Sequence, residues 1–144
     1  MKADDPSGMR DEARKDELVA ARRQRALTTR ISNGVVHLIA KYTGRGPTRA
    51  RTTIDGRLIV CFLEDALTKG ERSLLEQGAD DAVLTIRMSV QEAMKVELIA
   101  LVEGLTGRKV MAVMSANHAN PDCGLEAFVL DSDMASPRSA ERPV

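Results

Sequence analysis

The chain reads as an α+β two-layer sandwich in the order helix, hairpin, helix, helix, hairpin, with the helices on one face of an antiparallel sheet. Three observations predict this. An apolar stripe of helical spacing covers residues 27–42, an Asp55-Gly56 pair sits between two strand-like runs, and a second long helical stripe precedes two further strand-like runs. A length of 144 residues suits one domain with a single core. That domain is expected over residues 24–131, between a charged, partly disordered arm at 1–23 and a disordered tail at 132–144.

The first eleven residues are polar, carry Pro6 and Gly8, and offer little to bury, so they read as irregular chain. Residues 12–23 are dense in both charge signs and fit either a helical extension or a mobile arm. From Leu27 the spacing is helical: Leu27, Ile31, Val35, Leu38 and Tyr42 share one face, widened by Val36 and Ile39. Gly44 and Gly46-Pro47 end this helix. Thr48 to Ile54 alternates, with Arg49, Arg51 and Thr53 on one face and Ala50, Thr52 and Ile54 on the other. Asp55-Gly56 then predicts a tight hairpin with positive φ at both turn positions. Leu58 to Leu63 is continuously apolar, a strand covered on both faces or covered by a partner chain.

Thr68 and Glu71 have capping-box spacing and predict a short helix to about Gln77, broken at Gly78. A long helix follows over 80–106, with Val83, Ile86, Val90, Met94, Leu98, Leu101 and Leu105 in its stripe and Gly107 as its cap. Its charged residues, Arg87, Glu92, Lys95 and Glu97 among them, read as a solvated face. Strands are expected at 110–115 and 126–130, joined by a turn-rich connector over 116–124.

Composition narrows the function. Cys61 and Cys123 are too few for a disulfide framework, Cys61 lies in an apolar run, and a reducing, cytoplasmic setting fits both. No apolar run approaches the roughly 18 residues of a membrane span. Net charge is zero but unevenly placed: residues 1–57 hold 13 basic and 7 acidic side chains, residues 58–144 hold 8 and 14. The stretch Arg22–Arg57 has nine basic residues and one acid, which could meet an acidic partner or nucleic-acid phosphates. Against nucleic acid stand the near absence of aromatics and of any recognition motif.

Two segments carry candidate chemistry. Arg45 in the Gly44–Pro47 turn, with Arg49 and Arg51, could cradle an anion, because guanidinium forks match carboxylate or phosphate. Spacing and the following strand exclude a P-loop. The connector holds Asn117 and His118, with Asp122 and Cys123 nearby, but no second cluster completes a zinc set. No metal site, cofactor or catalytic residue is assigned: Cys123 has no local base, and the paired carboxylates sit at element ends. The ligand- or partner-facing set is therefore Arg45, Arg49, Arg51, Asn117 and His118. The surplus apolar surface of strand 58–63 points to a homodimer.

Three stretches in order resemble the MpsC-like family over about residues 27–131. They are Gly44-Arg45-Gly46-Pro47-Thr48; Leu67-Thr68 with Glu71 and Leu74-Leu75; and Met114-Ser115-Ala116-Asn117-His118 with Pro121-Asp122 and Glu126-Ala127-Phe128-Val129-Leu130. The resemblance implies a small cytosolic protein; the residues themselves read as a non-enzymatic binding or regulatory module, with a weak nucleic-acid binder or a small-molecule enzyme with an unrecognised site as the alternatives. In some members the resemblance implies an accessory component of a cation-coupled, membrane-potential-generating system tied to uptake of inorganic carbon, hence a membrane transport partner. Arg45 and His118 are the motif residues; Ala116 stands where the family commonly has an acid, and the arm before residue 24 looks like an addition.

Overall fold

The computed structural model describes residues 5–135. The elements are α1 (Pro6–Thr43), β1 (Arg49–Asp55), β2 (Leu58–Glu64), α2 (Lys69–Glu76), α3 (Asp80–Thr106), β3 (Val110–His118) and β4 (Cys123–Leu130). The four strands form one antiparallel sheet in the order β1-β2-β4-β3. The two hairpins are thus joined through their second strands. The three helices and the mainly antiparallel sheet make the expected α+β fold.

Helix α1 differs most from the sequence expectation. It begins at Pro6, where irregular chain was expected as far as residue 11. Asp5 caps it by accepting the Ser7 backbone N–H at 3.0 Å, and Pro6 brings a helical φ to the first turn. Asp11 also precedes Lys15 by four residues, a favourable pairing on a helix surface. Residues 6–26 are nevertheless exposed throughout, so their helix rests on local terms and on continuity with the packed part. Residues 1–4 of the arm lie outside the described residues.

The packed part of α1 buries Ile31, Ser32, Val35, Leu38 and Ile39, close to the predicted stripe. Tyr42, at the end of that stripe, is half-exposed instead, and its hydroxyl donates to Glu97 Oε1 at 2.5 Å. Helix α3 lies beside α1 and buries Val83, Met94, Leu98 and Val102. The two come close at Gly34, where an added Cβ would stand 2.5 Å from Leu101 Cδ1. Ile59, Cys61, Leu63, Phe128 and Leu130 rise from the inner face of the sheet to complete the core.

Two corrections concern α3 and the first turn. Ile86, expected in the buried stripe, is 44% exposed, and Arg87, expected in solvent, is buried. The reason is a partner: Arg87 Nε lies 3.2 Å from Glu71 Oε2, and both side chains are almost fully covered. The β1–β2 turn is Gly56-Arg57, one residue later than expected, because Asp55 pairs with Leu58. Only Gly56 has positive φ there, +61°, so a single glycine suffices.

The second hairpin is longer than predicted. Strand β3 runs to His118 and β4 starts at Cys123, so most of the expected connector is strand. The remaining turn contains a cis Asn120–Pro121 bond. Past β4 the chain stays attached: Met134 N–H donates to Gly56 O at 3.0 Å, and its side chain packs on the core. The expected disordered tail is therefore held to that point; residues 136–144 lie outside the described residues.

Candidate functional site

One end of the sheet gathers the start of β1, the end of β2, the end of β3 and the start of β4. Arg45, in the turn after α1, reaches this end and closes it. Its Nη1 donates to Asp65 O and Leu67 O, each at 2.8 Å, and its Nη2 meets Asp65 Oδ2 at 2.9 Å. Thr48 Oγ1 donates to the same carboxylate oxygen, and Arg72 pairs with the other. These donors, Thr48 first and Arg45 next, hold the Asp65 carboxyl below the usual range. From the opposite side Asp122 accepts the backbone N–H groups of Ala66 and Leu67 at 3.2 and 3.1 Å. Arg45 and Asp122 thus clamp the β2–α2 turn, in which Asp65 has φ +56°.

The other sequence candidates divide between the two faces. Arg49, Glu64, Cys123 and His118 form a transverse row on the outer face, with Arg49 3.5 Å from Glu64 and 81% of its side chain exposed. Arg51 stands one row further in, beside Phe62. His118 Nδ1 lies 2.9 Å from Pro121 O. Asn117 projects to the inner face. Arg45, Arg49, Asn117 and His118 therefore share one end of the sheet but do not converge on one point.

The outer face is apolar and has no helix over it. Leu58, Val60 and Phe62 from β2 lie beside Leu125, Ala127 and Val129 from β4, and Met114 from β3 extends the patch. Leu58, Phe62 and Met114 are 38%, 40% and 53% exposed. Strand β2 is covered on one face only, so of the two readings of its apolar run, a fully internal strand does not hold within the single chain.

The inner face holds what sequence reasoning missed. Thr52, Cys61, Glu126 and Ser115 are cross-strand neighbours and form a polar row across the inner face; the first three are buried, and Ser115 on the edge strand is exposed. Ser32 Oγ meets Thr52 Oγ1 at 2.7 Å at one end. Glu126 is 0% exposed. Ser115 Oγ donates to its Oε2, and Gln91 Nε2 donates to its Oε1 at 2.9 Å. Gln91 and Asn117 exchange two amide hydrogen bonds, 2.6 and 3.2 Å. Burial pushes the Glu126 carboxyl up, against the two hydrogen bonds. Burial also pushes the Cys61 thiol up, so that side chain is a covered, protonated neighbour and not a nucleophile. A sequence signal for Glu126 exists: it keeps the alternation of Phe128 and Leu130, a charge in phase with core residues.

Residues 23–132 match the family described as Na+-translocating membrane potential-generating system (MpsC). The chain belongs to the MpsC family. The match spans the sheet, α2, α3 and the packed part of α1, and it leaves out residues 6–22 of the exposed helical arm. No curated protein and no solved structure matches the chain. Among the described residues no helix is long and apolar enough to cross a membrane. Nor do three or more His, Cys, Asp or Glu side chains gather as a metal site there.

Proposed function

We propose that this MpsC-family chain is a non-enzymatic, cytoplasmic binding module. It works as a homodimer and as an accessory component of a membrane-bound, cation-coupled transport system, with inorganic carbon uptake as the associated process. The observation that carries the reading is the outer sheet face. Its apolar part spans β2, β4 and β3, and three strands about 4.8 Å apart and about 24 Å long give roughly 350 Å2. Contiguous apolar patches of this order mark interaction sites. A second copy suits it, because the outer face of β1 runs from Arg49 at one end to Asp55 at the other. A twofold axis across the strands would set each Arg49 against the other copy's Asp55.

The membrane partner would then meet a different surface. Arg22, Arg23, Arg25 and Arg30 are exposed on α1, where an acidic cytoplasmic segment could dock. Arg49, Arg51 and His118 would border the dimer seam, as ligand- or partner-facing residues. The family description supports a membrane system as the setting.

Gentle purification from native membranes followed by native mass spectrometry tests the reading. Two copies of the chain with a membrane protein retained are expected. Charge reversal at Arg22, Arg23 and Arg25 should release the membrane protein and keep the pair of copies. A lone chain with nothing attached would reject the proposal.

A further inference from the structure

A cavity of about 30 Å3 lies between α3 and the inner face of β4, with Arg87, Gln91, Met94, Asn117, Asp122 and Glu126 in its wall. A water occupies roughly 10–15 Å3 by this measure, so the space suits one small ion with a water or two.

The charges around it cancel except at one group. Arg87 is paired with Glu71 at 3.2 Å. Arg45 and Arg72 answer Asp65 and Asp122, Arg72 lying 3.9 Å from the latter. Among the described residues Ser115 and Gln91 are the side-chain hydrogen-bond partners of Glu126, and no cation pairs with it. Once Glu126 ionises, one buried negative charge is left over, and an uncompensated buried carboxylate is costly.

The geometry points to an internal site for one small monovalent cation of the alkali-metal or ammonium class, held by the Glu126 carboxylate with side-chain oxygens of Gln91 and Asn117. One carboxylate matches one positive charge, and the remaining donors are neutral oxygens, which hard cations prefer. His118, Asp122 and Cys123 also border the cavity, but among the described residues they do not gather with Glu126 into the ligand set that a divalent or transition metal would call for. The amide pair can adapt. Turning Gln91 and Asn117 over together keeps their mutual hydrogen bonds and exchanges the N–H that faces Glu126 for a carbonyl oxygen.

Thermal unfolding of the full chain tests this in sodium, potassium, ammonium and choline chlorides at equal ionic strength and mildly alkaline pH. Wild type should unfold at a higher temperature in at least one small cation than in choline, saturably, and the ranking identifies the ion. Glu126→Gln keeps the shape, removes the charge and should abolish the difference. Asn117→Ala, at the cavity wall, provides a second reading: about tenfold weaker apparent affinity. The site is overturned if wild type unfolds at the same temperature in all four salts, or if both variants respond like wild type.

Discussion

On its inner face the sheet carries the polar row Thr52, Cys61, Glu126 and Ser115; on its outer face the neighbouring row is Arg51, Phe62, Leu125 and Ala116. The covered side thus holds a carboxyl group that solvent cannot reach, while the uncovered side holds a phenylalanine that solvent can. Energetics of folding alone would favour the reverse, since burying Glu126 costs free energy and exposing Phe62 forgoes some. Each departure is local and built. Glu126 has two side-chain hydrogen bonds and a small cavity beside it, whereas Phe62 has Leu125 beside it on β4 and Arg51 on β1 but no helix above it. The difference suits the two roles proposed above, an internal polar site and an external seam.

Paired substitutions on the two faces should have the largest effects. Phe128→Ala, inside, is expected to cost about 3–5 kcal/mol in denaturant unfolding. Phe62→Ala, outside, should change the unfolding of the dilute, dissociated chain by only about 0.5 kcal/mol. Equal losses would erase the distinction between the faces. Arg87→Ala should rank close to the first, at about 3 kcal/mol or more, because it leaves Glu71 buried without its partner; a change near zero would mean that water reaches the pair.

The next effect is a pH dependence. Burial makes Glu126 hold its proton more tightly folded than unfolded. The folded state then binds more protons, so stability falls as pH rises from the ordinary glutamate value of 4.5 toward the raised folded value. In choline buffer Glu126→Gln should flatten that decline, as read by unfolding temperature against pH. An unchanged slope would place its origin elsewhere. A modest loss is expected at the first helical turn of α2, where Thr68→Ala should cost about 1 kcal/mol by removing the cap on Glu71 N–H.

Much of this architecture was legible because apolar phase is legible. The stripe Ile31, Val35, Leu38 announced the packed part of α1, the capping box announced α2, and Gly107 announced the end of α3. The arm of α1 was not, because a helix with no buried face leaves no stripe, only charges that suit several states. Arg87 was misplaced because a sequence shows its charge but not Glu71 arriving from another helix. Arg45 stood out in its Gly-rich turn, yet its acceptors are mostly backbone carbonyls about 20 residues away, which no motif displays. Asn117 was named as a site candidate while its partner Gln91, and Glu126 on the far side of Gln91, were not, since they come from α3 and β4. The open outer face was half-legible: the run Leu58–Leu63 signalled cover on both sides, but only the sheet order reveals which side lacks it.

The most direct test of the account is sedimentation equilibrium of wild type and Phe62→Glu. A wild-type dimer and a folded Phe62→Glu monomer, matched in far-ultraviolet circular dichroism, are the predicted result. A wild-type monomer across the concentration range, or a Phe62→Glu chain that dimerises as tightly as wild type, would contradict the claim that a second copy covers the outer face.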